Sequence, residues 1–123
     1  MLEKAVDLYK GHFLSEEKEQ RWMISLRERL KNIYLKSVMN LARHYEDNGL
    51  YEKAFECCEK GLAVDNLEEE FYRQLMVCCR RSGRTSDALK VYKRCEKMLS
   101  TFLGIEPAQK TKELYIEISK QPK

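Results

Sequence analysis

Between Leu41 and Leu99 the chain writes one pattern twice. Leu41, Ala42, Tyr45, Gly49, Ala54 and Cys58 are followed, thirty-four residues on, by Leu75, Met76, Cys79, Gly83, Ala88 and Tyr92. Apolar positions that recur every three or four residues line one side of a helix, so Leu41, Tyr45 and their counterparts predict one face of a first helix. Gly49 and Gly83 then fit the left-handed position at that helix's end, where a side chain would crowd the backbone. Ala54 and Ala88 stand where a second helix crosses the first closely, and a leucine at either would overpack the crossing.

A thirty-four-residue period with glycine between two helical patterns is the spacing of a tetratricopeptide-type helix-turn-helix repeat. The expected fold is all-α: about six helices in antiparallel hairpins, wound as an α-α superhelix. Two prolines and five glycines in 123 residues leave such helices largely uninterrupted, and the length suits a single domain over 1–123. No apolar run approaches the roughly 18 residues of a membrane span, and no signal-peptide pattern opens the chain. We therefore expect a cytoplasmic protein with no membrane contact. A formal net charge of +3, from 23 basic against 20 acidic side chains, is too balanced for nucleic-acid binding by the whole surface.

Taken in order, Leu2 to Lys10 predicts a short amphipathic helix with Leu2, Ala5, Val6 and Tyr9 on one side. Ala5 and Tyr9 match Ala88 and Tyr92, so the chain opens on the second helix of a repeat. Entry in mid-unit leads us to expect a fragment of a longer protein; the alternative is a short capping helix, since terminal repeats are often atypical. Gly11 to Leu14 makes a turn, and Ser15 caps a long helix running to about Asp47, with Trp22, Leu26, Leu30, Ile33, Val38, Leu41 and Tyr45 as its apolar stripe. Trp22 reads either as core against the opening helix or as an exposed binding anchor. Further helices are expected over Glu52–Val64, Leu67–Arg81, Ser86–Phe102 and Ala108–Ser119. Asn66 and Glu69 form a capping box for the second of these, Thr85 caps the third, and Gly104 and Pro107 take C′ and N1 at the last break. Gln121 to Lys123 should fray.

The residues offer no enzyme. There is no phosphate-binding loop, no nucleophile elbow, no H-E-x-x-H and no nucleophile placed with a base. Glu68-Glu69-Glu70 answers to the helix macrodipole rather than to carboxylate catalysis. Cys57, Cys58, Cys78, Cys79 and Cys95 show no C-x-x-C, and an odd number of thiols suits a reducing compartment. Cys58, Cys79 and Cys95 fall on core positions, where free cysteine packs as a small hydrophobe. No metal and no cofactor is expected. What remains is a binding surface. The first helix of each repeat lines the concave side, and its outward positions are Lys36, Met39 and Arg43 in one unit and Glu70, Arg73, Val77 and Arg80 in the next. Four basic groups around two apolar ones would suit an acidic, partly apolar peptide or helix. The other reading is an ordinary solvated face.

Several strings resemble a known family together. They are Ala5-Val6-Asp7-Leu8-Tyr9-Lys10-Gly11, then Trp22 with Arg27-x-Arg29-Leu30, then Tyr34-Leu35 and Leu41-Ala42-x2-Tyr45. Gly49-x-Tyr51-x2-Ala54, Glu70-x-Tyr72-Arg73-x-Leu75-Met76 and Gly83-Arg84-x3-Ala88-Leu89-x2-Tyr92-x-Arg94-Cys95 follow. Leu103-Gly104-Ile105-Glu106-Pro107, with Thr111 and Leu114-Tyr115, completes the series. In this order they resemble the bacterial transcriptional activation domain of antibiotic-regulatory-type activators. The resemblance implies a tetratricopeptide-like domain that commonly follows a winged-helix DNA-binding domain and carries no catalytic residues. Its implied role is contact with the protein's own DNA-binding or sensor domain, or with the transcription machinery. No winged-helix segment is present, so DNA binding is not carried over to this chain. The competing class is a generic tetratricopeptide adaptor that binds an acidic peptide or helix. Direct nucleic-acid binding is a third class, disfavoured by scattered arginines without a recognition helix.

Overall fold

The computed structural model describes residues 15–120. The expected opening helix over Leu2–Lys10, the turn after it and the expected fraying at Gln121–Lys123 lie outside the described residues. Helices and short connections make up the rest: α1 (Glu16–Asp47), α2 (Tyr51–Val64), α3 (Glu69–Arg81), α4 (Thr85–Leu103) and α5 (Gln109–Ser119). The all-helical expectation holds. Two compact units are distinguished, Met1–Tyr34 and Leu35–Lys123.

In the first unit, the Ser15 hydroxyl accepts the Lys18 N–H at 3.3 Å, as an N-cap should, and Glu16, Glu17 and Glu19 stand in the first turn of α1. Trp22 and Leu26 are half-buried. The indole N–H of Trp22 is buried and meets no acceptor among the described residues. Leu30 and Ile33, expected on the apolar stripe, are exposed.

The second unit holds the repeat. Gly49 and Gly83 have φ of 75° and 81°, so both close their helices in the left-handed region, as their place in the pattern requires. Ala54 and Ala88 are fully buried at the helix crossings. The core joins Leu35, Val38, Met39 and Ala42 of α1 to Cys58 and Leu62 of α2, Phe71, Tyr72 and Leu75 of α3, and Cys95 and Leu99 of α4. A second cluster gathers Met76, Cys79, Ala88, Tyr92 and Ile118. Leu41 departs from expectation: it is 44% exposed, against 3% for its counterpart Leu75. The stripe that α1 buries runs Leu35, Val38, Met39, Ala42 and Glu46, leaving Leu41 off its edge. α3 is instead an interior helix with α2, α4 and α5 around it.

Helix ends also differ in detail. The Asn66/Glu69 capping box does not form: Glu68 is the N-cap of α3, without a side-chain bond, and Asp65 accepts the Leu67 N–H at 3.1 Å. α4 begins at Thr85 itself, one residue early, behind Arg84. Gly104 ends α4 with φ 63° and gives its N–H to the Ser100 carbonyl at 3.1 Å. Pro107 lies one place before the N-cap Ala108 rather than at N1.

Gly61 was not singled out by the repeat, yet it sets the α2–α3 packing. A Cβ there would stand 2.5 Å from Cε1 and 2.8 Å from Cδ1 of Phe71, whose ring lies on bare helix backbone.

Candidate protein-interaction surface

Glu69, Arg73, Val77 and Arg80 follow one another along α3 at steps of four and three, which places them on one side of that helix. α5 lies against this side. The Ala108 N–H, left over at the start of α5, goes to the Glu69 carboxylate at 2.8 Å, and the Thr111 hydroxyl donates to the same oxygen. Arg73 Nη1 donates to Thr111 Oγ1 at 3.0 Å and stands 3.5 Å from Glu69. Two turns further along α3, Arg80 Nη1 donates to the Glu117 carboxylate at 3.0 Å. On the α4 side, Tyr115 stacks on Tyr92 with centroids 4.0 Å apart and planes at 17°. The Lys93 ammonium sits 5.5 Å from the centre of the Tyr115 ring, on a face that attracts cations. Ile118 is fully buried beneath.

The six residues predicted to line a groove are therefore divided. Lys36 and Arg43 are exposed on α1, and Arg43 reaches Glu70 of α3 at 3.8 Å. Arg73, Val77 and Arg80 are half-buried along the side of α3 that carries α5. Met39 does not face outward. It is 5% exposed, because it follows Leu35 by four and precedes Ala42 by three, on the stripe α1 buries. In the thirty-four-residue register Met39 holds the place of Arg73, so the repeat alone could not separate a core position from a surface one.

Sequence reasoning missed three features here. Glu69 was assigned to capping its own helix, whereas it anchors α5. Nothing in the stretches around Tyr92 and Tyr115 pairs the two rings in sequence. A buried polar node was also unforeseen: Glu46 of α1 accepts from Gln74 of α3 and from Arg81 Nη1 at 2.7 Å. An acidic residue on a buried stripe (Glu46, four after Ala42) was the available signal.

Nucleophilic chemistry finds no support in the thiols. All five cysteines are free and buried. Burial pushes Cys95 up to about 12 and Cys78 and Cys79 up to about 11, and raises Cys57 and Cys58 as well. A thiol must ionise to attack or to bind a metal, so these are packing residues. Among the described residues no group of three or more His, Cys, Asp or Glu is placed to hold a metal ion, and no helix is long and apolar enough to cross a membrane. In comparisons with known proteins, a family model described as the bacterial transcriptional activator domain matches residues 1–119. No curated relative matches the chain.

Proposed function

The chain belongs to the bacterial transcriptional activator domain family, a regulatory family and not one of enzymes, and we propose that it serves a transcription activator as its protein-interaction domain. It would act in the cytoplasm as part of a longer regulator, touching that regulator's own DNA-binding or sensor domain, or the transcription machinery. The observation that carries this reading is the exposed cationic face of α1, where Lys36 and Arg43 stand seven residues apart on one side. It adjoins the Arg73–Val77–Arg80 side of α3 through the Arg43–Glu70 contact. Charged groups at the rim of an interface steer the encounter and set specificity.

The experiment tethers the whole chain to an unrelated DNA-binding protein upstream of a reporter promoter in a bacterial host. Transcription above that of the untethered DNA-binding protein supports the reading. Reporter output at the background level, with the fusion present at equal abundance, overturns contact with the machinery. A gel shift of the chain alone should show no DNA binding, since phosphate contacts would announce themselves by a steep salt dependence.

A further inference from the structure

We propose that the chain pairs with a second copy of itself through α1, the two helices lying antiparallel along one exposed stripe. α1 runs uninterrupted from Glu16 to Asp47. Met23 is 43% exposed, Leu30 55%, Tyr34 42% and Leu41 44%. At 3.6 residues per turn these four fall within an arc of roughly 40°, over about 27 Å of helix. Single exposed apolar side chains are ordinary, but four in one row make a patch of the kind that marks an interaction site.

Polar side chains complete the row. Arg27 and Ser37 stand between the apolar pairs, with Gln20 and His44 at the two ends, and all four are exposed. Steps of three and four then alternate along the whole row, the spacing of a coiled-coil seam. The row reads alike in both directions. Asn32 is its midpoint: Leu30 and Tyr34 stand two residues to either side, Arg27 and Ser37 five, Met23 and Leu41 nine. In a two-fold antiparallel pair Met23 meets the partner's Leu41 and Leu30 meets the partner's Tyr34, so apolar groups face apolar groups. Arg27 meets the partner's Ser37, whose hydroxyl can accept from the guanidinium. A two-fold contact needs this reciprocity, each residue finding on the copy what the copy finds on it.

Charge selects the direction. A parallel pair in register would set Arg27 against the partner's Arg27 in the seam, and like charges brought together there oppose pairing. It would also place the two acidic first turns side by side, each carrying Glu16, Glu17 and Glu19. The antiparallel pair turns those carboxylates toward the end that carries the partner's His44. Lys36 and Arg43 lie roughly 140° round α1 from the row. The pairing therefore leaves the cationic face open, and it does not rest on the role proposed for that face.

Two measurements on the full chain test this. In analytical ultracentrifugation the chain should sediment as a dimer, with a dissociation constant on the order of 10 μM. Leu30→Glu should raise that constant at least about thirtyfold, as loss of a central contact does. Its helicity should match the parent's, since Leu30 is exposed. Lys36→Glu should leave the constant unchanged. A parent chain that stays monomeric at about fifty times that concentration, or a Leu30→Glu chain that associates like the parent, overturns the pairing. Direction is read with a short bis-maleimide, the five native thiols being buried. Met23→Cys chains mixed with Leu41→Cys chains should be joined readily. Met23→Cys chains alone should not, because their new thiols stand about 27 Å apart along the pair. Joining of Met23→Cys chains to one another as fast as to Leu41→Cys chains refutes the antiparallel register. Neither measurement involves transcription, so its outcome is separate from that of the reporter assay.

Discussion

Gly61→Ala puts the α2–α3 packing to a quantitative test. In an exposed helix interior, replacing glycine by alanine stabilises by about 1 kcal/mol, because the flexible residue loses more backbone freedom on folding. At Gly61 the new methyl would stand 2.5 Å from Cε1 and 2.8 Å from Cδ1 of Phe71, where carbon atoms prefer roughly 3.5–4.0 Å. The ring must therefore shift by about 1 Å. It is 1% exposed and packed in the main core cluster, so it has little room to do so. Overpacking of this kind costs about 1–3 kcal/mol. Set against the propensity gain, the net expectation is destabilisation by about 1 kcal/mol. Urea unfolding should show a lower midpoint with an unchanged slope. Phe71→Leu in the same background shortens the offending side chain, so the two substitutions should be non-additive, with a coupling of about 1–2 kcal/mol in the rescuing direction. A Gly61→Ala protein stabilised by the full propensity gain, with strictly additive energies, would refute the seating of Phe71 on Gly61.

Ala88→Leu should destabilise by about 1–3 kcal/mol through overpacking of the α3–α4 crossing, read as a lower thermal midpoint; an unchanged midpoint would mean the crossing is loose. Tyr115→Ala removes the ring stacked on Tyr92 and should speed exchange of the α5 amides while those of α2 stay as they are. The buried thiols set an alkaline limit. In the unfolded chain they ionise near 9.0, while in the fold Cys78 and Cys79 hold their protons to about 11 and Cys95 to about 12. The native state then binds more protons above pH 9, so stability should fall from pH 9 toward 12, and a flat profile would contradict the burial. By the same reasoning, an alkylating reagent at pH 8 should label none of the five thiols until denaturant is added.

Much of this fold was legible because the repeat fixes local geometry. Gly49, Gly83, Ala54 and Ala88 each have one physical reason to be where they are, and each stands in the structure as that reason requires. Side-by-side comparison of two repeats could not tell how many neighbours each helix has. That is why Leu41 is exposed while Leu75 is buried, and why Met39 lies in the core while Arg73 lies beside α5. Tertiary partners far apart in sequence were equally hidden. Glu69 and Thr111, or Glu46 and Gln74, look like ordinary surface residues until the helices that carry them are brought together. The short reach of capping rules explains the failed capping box at Asn66: Glu69 had a better-placed donor on another helix than on its own.

Contact through the cationic face of α1 is tested most directly by charge reversal in the tethered reporter. The fusion carrying Lys36→Glu with Arg43→Glu should lose most of its transcription while melting like the parent, since both side chains are exposed. Lys60→Glu on α2 should leave output unchanged. Full transcription from the α1 double variant would contradict a role for that face.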